Sequence, residues 1–235
     1  MYNLTGVNGE LSFERDLLRR APGCEAWGYD YSIDGVRVPQ SFLVLRVLPD
    51  LLSFYQWGPE IRDDTVLRHR AHFQPWALGE TDKHEEGDNP KYWTLDSLMK
   101  LNGACSRSHS PIQFPFWMRA KTDFVFPIQP IGHSFIDILK IDIEGGEFDS
   151  LASFLNSHAD GDLPIGQLQL EIHAWGGRER FDYFVKWWEA LEASGLRPFW
   201  TEPNLVYLNL YPGSKPGLTE VCLSPCSSLL DMPIC

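Results

Sequence analysis

The sequence predicts a single α/β domain spanning residues 1–235. Short apolar runs alternate with longer amphipathic stretches, the pattern typical of a mostly parallel sheet with helices on both faces. A length of 235 residues fits one large domain or two small ones, and 43% hydrophobic residues with 13% aromatics can fill a sizeable core. We therefore expect one layered domain built around the sheet.

The predicted elements follow from hydrophobic periodicity. Glu10–Arg20 and Arg178–Ser194 carry apolar residues at helical spacing, and Gly195 stands where a C-cap glycine is expected. Apolar runs of strand length lie between the amphipathic stretches. The predicted strands are Tyr2–Val7, Glu25–Asp30, His72–Leu78, Asp137–Ile143, Gln167–His173, Leu196–Thr201 and Leu218–Leu223.

Two stretches interrupt this alternation, residues 36–56 and 104–132. Both lack helical periodicity and place apolar side chains where a connecting loop should be polar. Connections of this length without structure of their own are unusual in a compact domain, so we interpret them as irregular insertions. Two origins stay open, lineage-specific insertions or translated introns, and sequencing of the transcript distinguishes them.

Charge and composition narrow the partners and the location. The net charge of -12 disfavours a nucleic-acid substrate, because phosphate binding needs clustered Lys and Arg. Five cysteines without paired spacing fit a reducing compartment, and no apolar run approaches the roughly 20 residues of a membrane span. We expect a cytoplasmic protein if the chain is complete, and a membrane-anchored or secretory one if an N-terminal segment precedes it. The oligomeric state is not predicted.

The first three predicted strands end in residues suited to a nucleotide. Gly6 lies at the end of the first strand and Gly9 follows it, and both allow a ligand edge to approach the backbone. Asp30 ends the second strand, where an acidic side chain accepts hydrogen bonds from ribose hydroxyls. Ala77 and Leu78 end the third strand and can border an adenine ring. A ligand-free turn, a helix-capping Asp30 and plain core packing stay open as alternatives.

The next two strands end in acidic residues and a histidine. Asp142 and Glu144 alternate along one strand, so they face the same side and can converge on a sulfonium, an amine or a metal ion. The following strand delivers Glu171 and His173 to the same edge. His173 is a candidate general base or a hydrogen-bonded structural residue. A divalent ion is chemically reasonable here, but the ligand spacing is not specific, so no metal site is predicted.

Several strings together resemble a known family. GVNGELSFE, CEAWGYDYS, DILKIDIEGGEFDSL and QLQLEIHAW are similar to the FkbM-related, methyltransferase-like branch of class I S-adenosylmethionine-dependent methyltransferases. WGPEI, RAHFQPWALG, YWTLDSLMKLNG and TEPNLVY extend the resemblance over most of the chain outside the two insertions. The resemblance implies a Rossmann-like three-layer sandwich, with a mostly parallel seven-stranded sheet whose last strand is antiparallel.

The resemblance also implies a site for S-adenosylmethionine over the first, second and fourth strands. Its expected members are Gly6, Asn8 and Gly9 in the cofactor loop, Asp30 at the ribose, Ala77 and Leu78 beside the adenine, and Asp142 with Glu144 on the methyl-transfer side. The chain departs from the family in two respects. It has fewer residues before the first strand, and the insertions fall beside the second strand and ahead of the fourth, where they are expected to hinder ligand binding.

The implied reaction is methyl transfer by in-line displacement at the sulfonium, with an oxygen of a small-molecule or glycan-like acceptor as nucleophile. Catalysis of this kind comes mainly from holding the nucleophile close to the methyl carbon. His173 or Glu171 is the candidate base, and Asp142 lies beside them. Two other classes stay open. One is a catalytically inactive methyltransferase fold that acts as a binding or structural module. The other is an NAD-dependent oxidoreductase, which the incomplete GxGxxG spacing disfavours.

Overall fold

The computed structural model describes residues 2–5, 11–31, 59–105, 133–204 and 217–225. Residues 36–56 and 106–132, which hold nearly all of both predicted insertions, lie outside this part. The described ranges contain both helices and strands, so the α/β class is confirmed. No helix within them is long and apolar enough to cross a bilayer.

The elements occur in mixed order along the chain. The strands are β1 (Tyr2–Thr5), β2 (Ala26–Tyr29), β3 (Ala71–Gln74), β4 (Ala77–Leu78), β5 (Tyr92–Trp93), β6 (Ile136–Ile141), β7 (Ile165–His173), β8 (Leu196–Pro203) and β9 (Leu218–Pro225). The helices are α1 (Ser12–Arg20), α2 (Pro59–Arg62), α3 (Leu95–Cys105), α4 (Glu147–Ser157) and α5 (Phe181–Ala193).

The main sheet has seven strands in the order β3-β2-β1-β6-β7-β9-β8, and β4 pairs with β5 separately. Neighbours from β3 to β7 are parallel, whereas β9 is antiparallel to both β7 and β8. The register of β6 and β7 pairs Lys140 with Gln169 and Ile141 with Leu170. The chain leaves β1 for β2 on one side and reaches β6 on the other. Open α/β sheets bind ligands at the carboxyl ends of their strands, where the strand order reverses in this way.

Two apolar clusters lie on opposite faces of the sheet. Successive side chains of a strand point to opposite faces, and along β2 Ala26 joins one cluster while Trp27 and Tyr29 join the other. Helices α1 and α2 pack in the first cluster, and α3, α4 and α5 pack in the second. Buried members include Leu18 and Phe73 in the first and Leu98, Phe148 and Leu191 in the second. Helices therefore cover both faces of the sheet.

The predicted strand His72–Leu78 is wrong as a single element. Its residues form β3 at the edge of the main sheet and β4 in the separate pair. Pro75 between them has no backbone N–H to donate, and the Trp76 N–H bonds to the Gln74 carbonyl at 2.9 Å, which turns the chain. Gly195 follows the end of α5 with a φ of 93°, so the predicted role of a C-cap glycine is confirmed.

Arg70 ties the end of α1 to the beginning of β3. Its Nη2 donates to the Leu18 carbonyl at 2.7 Å, and its Nη1 donates to the carbonyls of Ala21 and Cys24, each at 3.0 Å. The last carbonyls of a helix have no hydrogen-bond donors within the helix, and here the half-buried guanidinium of Arg70 donates to them. Arg70 thereby holds α1 and the chain that leads into β2 against the edge of the sheet.

Candidate functional site

A cleft of about 320 Å³ opens at the carboxyl ends of β2 and β6, which flank β1. It lies where the strand order reverses. The predicted cofactor residues that line it are Asp30, Ala77, Leu78, Asp142 and Glu144. The predicted cofactor loop with Gly6, Asn8 and Gly9 follows β1 and lies outside the described residues. The structure thus brings together, in one cleft, residues that are far apart in the sequence.

One wall of the cleft is aromatic, with Tyr29 and Trp76 among its lining residues and Trp93, which does not line the cleft, packed on Trp76. The Trp76 ring lies 4.8 Å from the Trp93 ring and 6.3 Å from the Tyr29 ring, stacked in both cases. The Tyr29 hydroxyl donates to the Asn102 side chain on α3, which fixes that end of the wall. Together with the carboxylates that line the same cleft, this wall suits a ligand that has both a planar ring and a positive charge.

The turn after β6 has an uncommon backbone conformation. Glu144 has a φ of 55° and Gly145 a φ of 99°, so two consecutive residues are left-handed. A side chain other than glycine is strained in this region, and such residues cluster at functional sites. A Cβ atom on Gly145 would meet the Trp175 Nε1 at 3.2 Å. The turn places the exposed Glu144 at the mouth of the cleft and leads directly into α4.

Glu147 is a buried carboxylate that joins this turn to the end of β7. The side chain is 0% exposed. Its Oε2 accepts the Gly145 N–H at 2.8 Å, and its Oε1 accepts the His173 backbone N–H at 2.6 Å. The sequence predicts no role for Glu147 in the site, because an acidic residue in a first helical turn is common. Its position directly after Gly145–Gly146 at a strand end was the available signal of a second role.

The two ring nitrogens of His173 have different neighbours. Nδ1 lies 3.2 Å from Glu147 Oε1, whereas Nε2 lies 3.7 Å from Asp142 Oδ1 and 3.6 Å from Glu144 Oε2. Burial by itself would lower the pKa of His173. The hydrogen bond with Glu147 and the surrounding carboxylates outweigh burial and raise this pKa above its ordinary value. His173 therefore keeps its proton to a higher pH than a free histidine does.

Asp142 stands between the carboxylates of the two strands. Burial and the nearby Glu171 carboxylate raise the pKa of Asp142 to about 6, and Glu144 acts in the same direction. His173 opposes them but does not cancel them. The predicted convergence of these residues on one edge is present in the structure. Asp142, Glu171 and His173 each offer one ligand atom, and these atoms lie within 4.8 Å of one another.

Without bound metal ions, Asp142→Asn is expected to stabilise the protein by about 1–2 kcal/mol at pH 7.5, a value reduced because the Asp142 carboxyl is partly exposed. Near pH 4 the substitution should have little effect. The pKa of Asp142 is raised from 3.8 to about 6 on folding. The protonated carboxyl of Asp142 therefore costs no stability below about pH 4, whereas its ionisation increasingly destabilises the fold as the pH rises through about 6. Asparagine does not ionise, so the variant avoids this loss. Urea unfolding of both proteins at the two pH values measures it, and an equal difference at both would contradict the prediction.

Residues 123–198 match the model of the Methyltransferase FkbM domain. The match covers less than half of the chain and includes Asp142, Glu171 and His173. Residues 123–132, at the end of the second predicted insertion, also lie inside it. The resemblance to FkbM-related methyltransferases that the motifs indicate is thereby confirmed over this stretch, and the match supports a methyltransferase family. No curated protein matches the chain significantly.

Proposed function

We propose that the chain is an S-adenosylmethionine-dependent methyltransferase that methylates an oxygen of a small-molecule or glycan-like acceptor. The observation that carries this proposal is the cleft between the ends of β2 and β6. It combines Asp30, an aromatic wall and the acidic turn after β6 at the point where the strand order reverses. The match to the Methyltransferase FkbM domain includes the turn after β6, and it supports methyl transfer rather than another reaction of a nucleotide cofactor.

The cleft suggests a position for each part of the cofactor. Asp30, at the end of β2, accepts the ribose hydroxyls, as acidic residues do at this place in nucleotide-binding sheets. Ala77 and Leu78, both buried, border the adenine. Asp142 and Glu144 face the positively charged methionine portion. The strand order, with β9 antiparallel, supports the Rossmann-like sheet that the family resemblance implies.

Bound S-adenosylmethionine supplies an activated methyl group on a sulfonium. The chain contributes close positioning of the acceptor oxygen and a group that takes its proton. As the oxygen–carbon bond forms, the carbon–sulfur bond breaks and the acceptor proton passes to a base. In the protein alone, His173 and Glu171 are the candidate bases beside Asp142. His173 serves only after it has lost its own proton, which its raised pKa shifts to higher pH.

Asp30→Ala is expected to weaken S-adenosylmethionine binding at least tenfold, about 1.4 kcal/mol, because the ribose hydroxyls lose their acceptor. Titration calorimetry of the chain with the cofactor measures the change. Asp160→Ala, at an exposed turn after α4 and outside the cleft lining, is the matched control and should bind like the parent protein. Unchanged affinity in Asp30→Ala would remove Asp30 from the site.

The same titration tests the proposed function itself. Saturable binding of the parent chain, with S-adenosylhomocysteine competing, supports a methyltransferase. Absence of binding at millimolar cofactor would refute the proposal and favour the inactive fold that acts as a binding or structural module.

A further inference from the structure

We propose that Asp142, Glu171 and His173 form a binding site for one divalent metal ion, at the adjoining carboxyl ends of β6 and β7. Each of the three residues presents one ligand atom, and the three atoms lie within 4.8 Å of one another. The site adjoins the cofactor cleft, because Asp142 lines that cleft as well.

The separation between the histidine and one of the carboxylates fits a shared ion. His173 Nε2 and Asp142 Oδ1 are 3.7 Å apart. Two ligands bonded to one metal at about 2.0–2.2 Å lie roughly 3–4 Å from each other, depending on the angle between them. The observed separation is therefore in the range that a shared ion imposes. It is too long for a direct hydrogen bond between the two side chains.

The orientation of His173 is the independent observation that points to a ligand. Its side chain is only 3% exposed. Glu147 engages Nδ1, so the ring turns Nε2 towards the cluster, where the carboxylate oxygens are 3.6–3.7 Å away. Metal-binding histidines are typically held in this way, with a carboxylate on the nitrogen that does not bind the metal. A buried ring nitrogen thus faces two carboxylates of the cluster at ion-pair distance rather than at hydrogen-bond distance.

Glu171 has a similar support. The Asn204 side-chain amide donates to Glu171 Oε1 at 3.1 Å, which orients the carboxylate from the end of β8. Fixing of ligand carboxylates by neighbouring polar groups is common around metal ions. Two of the three proposed ligands are therefore positioned by residues that do not themselves belong to the site.

The charges around the cluster favour a cation. Asp142, Glu144 and Glu171 surround a single imidazole. Lys140 is the nearby cation on β6, and its ammonium lies 3.7 Å from the buried Glu14 of α1. The charge of Lys140 is therefore shared with another carboxylate. One nitrogen and two carboxylate ligands suit Mn²⁺, which accepts mixed donors and keeps water in its remaining positions.

The use of the ion in catalysis rests on the proposed function. A metal-bound acceptor hydroxyl loses its proton more readily, because the ion stabilises the oxygen anion. The proton passes to solvent through the exposed Glu144, and the oxygen then takes the methyl group as the carbon–sulfur bond breaks. In the loaded protein His173 and Glu171 hold the ion and so do not act as bases. The possible methyl acceptors are therefore restricted to molecules whose reactive hydroxyl can bind the metal ion at this site.

The test is Mn²⁺ binding to chelator-stripped protein at pH 7.5, followed by the loss of the free-ion signal in electron paramagnetic resonance. We expect one saturable site per chain. Glu171→Gln should weaken it at least tenfold. Glu189→Gln, the same change at an exposed position in α5, is the matched control and should change affinity less than threefold. Asp142→Asn gives a second ligand variant that does not depend on the buried histidine.

Two results would overturn the metal site, namely no saturation below millimolar Mn²⁺, or equal affinity in the parent protein and Glu171→Gln. Failure of this inference and failure of the proposed function remain distinguishable, because Mn²⁺ binding is measured without cofactor. Metal binding without any cofactor binding would keep the site and remove the methyltransferase. Cofactor binding without metal binding would remove the metal site and keep the methyltransferase. His173 and Glu171 would then again be the candidate bases.

Discussion

Glu147→Ala is expected to lower the free energy of unfolding by about 3–5 kcal/mol. The substitution removes a carboxylate that is 0% exposed and leaves the backbone N–H groups of Gly145 and His173 buried without their acceptor. It also releases the Nδ1 side of the His173 ring. Each lost partner costs more than an ordinary surface hydrogen bond, because water does not reach these groups to replace it.

Urea unfolding followed by circular dichroism measures this change. Glu189→Ala, at an exposed position in α5, is the matched control and should change stability by no more than about 0.5 kcal/mol. Glu147→Gln keeps an acceptor oxygen but sets an amide against N–H donors, so we expect an intermediate loss of about 1–3 kcal/mol. If Glu147→Ala is too unstable to purify, Glu147→Gln carries the test. A loss below 1 kcal/mol in both variants would contradict the bridging role of Glu147.

Arg70→Ala is expected to cost about 3 kcal/mol, because three carbonyl groups lose a charged donor at once. The Leu18 carbonyl lies in the last turn of α1 and the Ala21 carbonyl directly follows the helix, so the end of α1 should fray. Arg70→Lys is expected to recover only part of the loss, since one ammonium does not reproduce the planar, branched geometry of the guanidinium.

Thermal unfolding, combined with hydrogen exchange of the α1 amides, measures the effect of Arg70. Arg20→Ala, at an exposed position in the last turn of α1, is the control and should remain within about 0.5 kcal/mol of the parent protein. Equal stability in Arg70→Ala and Arg20→Ala would show that the three hydrogen bonds contribute nothing measurable.

The acidic edge of the sheet was predictable from sequence for a simple reason. Parallel strands end at a common edge, so residues at the ends of two buried apolar runs meet there. β6 and β7 were both predicted from their runs, and the meeting of Asp142 with Glu171 and His173 follows. Asp30 joins them by the same rule from β2.

The supports of the site could not be predicted in this way. Glu147 and Asn204 contact their partners across long stretches of sequence, and those contacts depend on how α4 and β8 pack. The aromatic wall depends on the pairing of β4 with β5, which brings Trp93 to Trp76. The prediction of one strand from His72 to Leu78 concealed this second pair, and only Pro75 indicated a break. Periodicity predicts faces and ends of elements, whereas it carries little information about such contacts.

The pairing of Ile141 with Leu170 has a consequence for how the chain tolerates change. A shift of one residue between β6 and β7 would turn Glu171 away from Asp142 and put an apolar side chain in its place. Two buried backbones, rather than flexible loops, therefore set the separation of these carboxylates. Substitutions that leave the sheet intact should leave this spacing intact. Partial unfolding of the sheet should abolish the spacing at once, so that ligand binding reports directly on the integrity of the core.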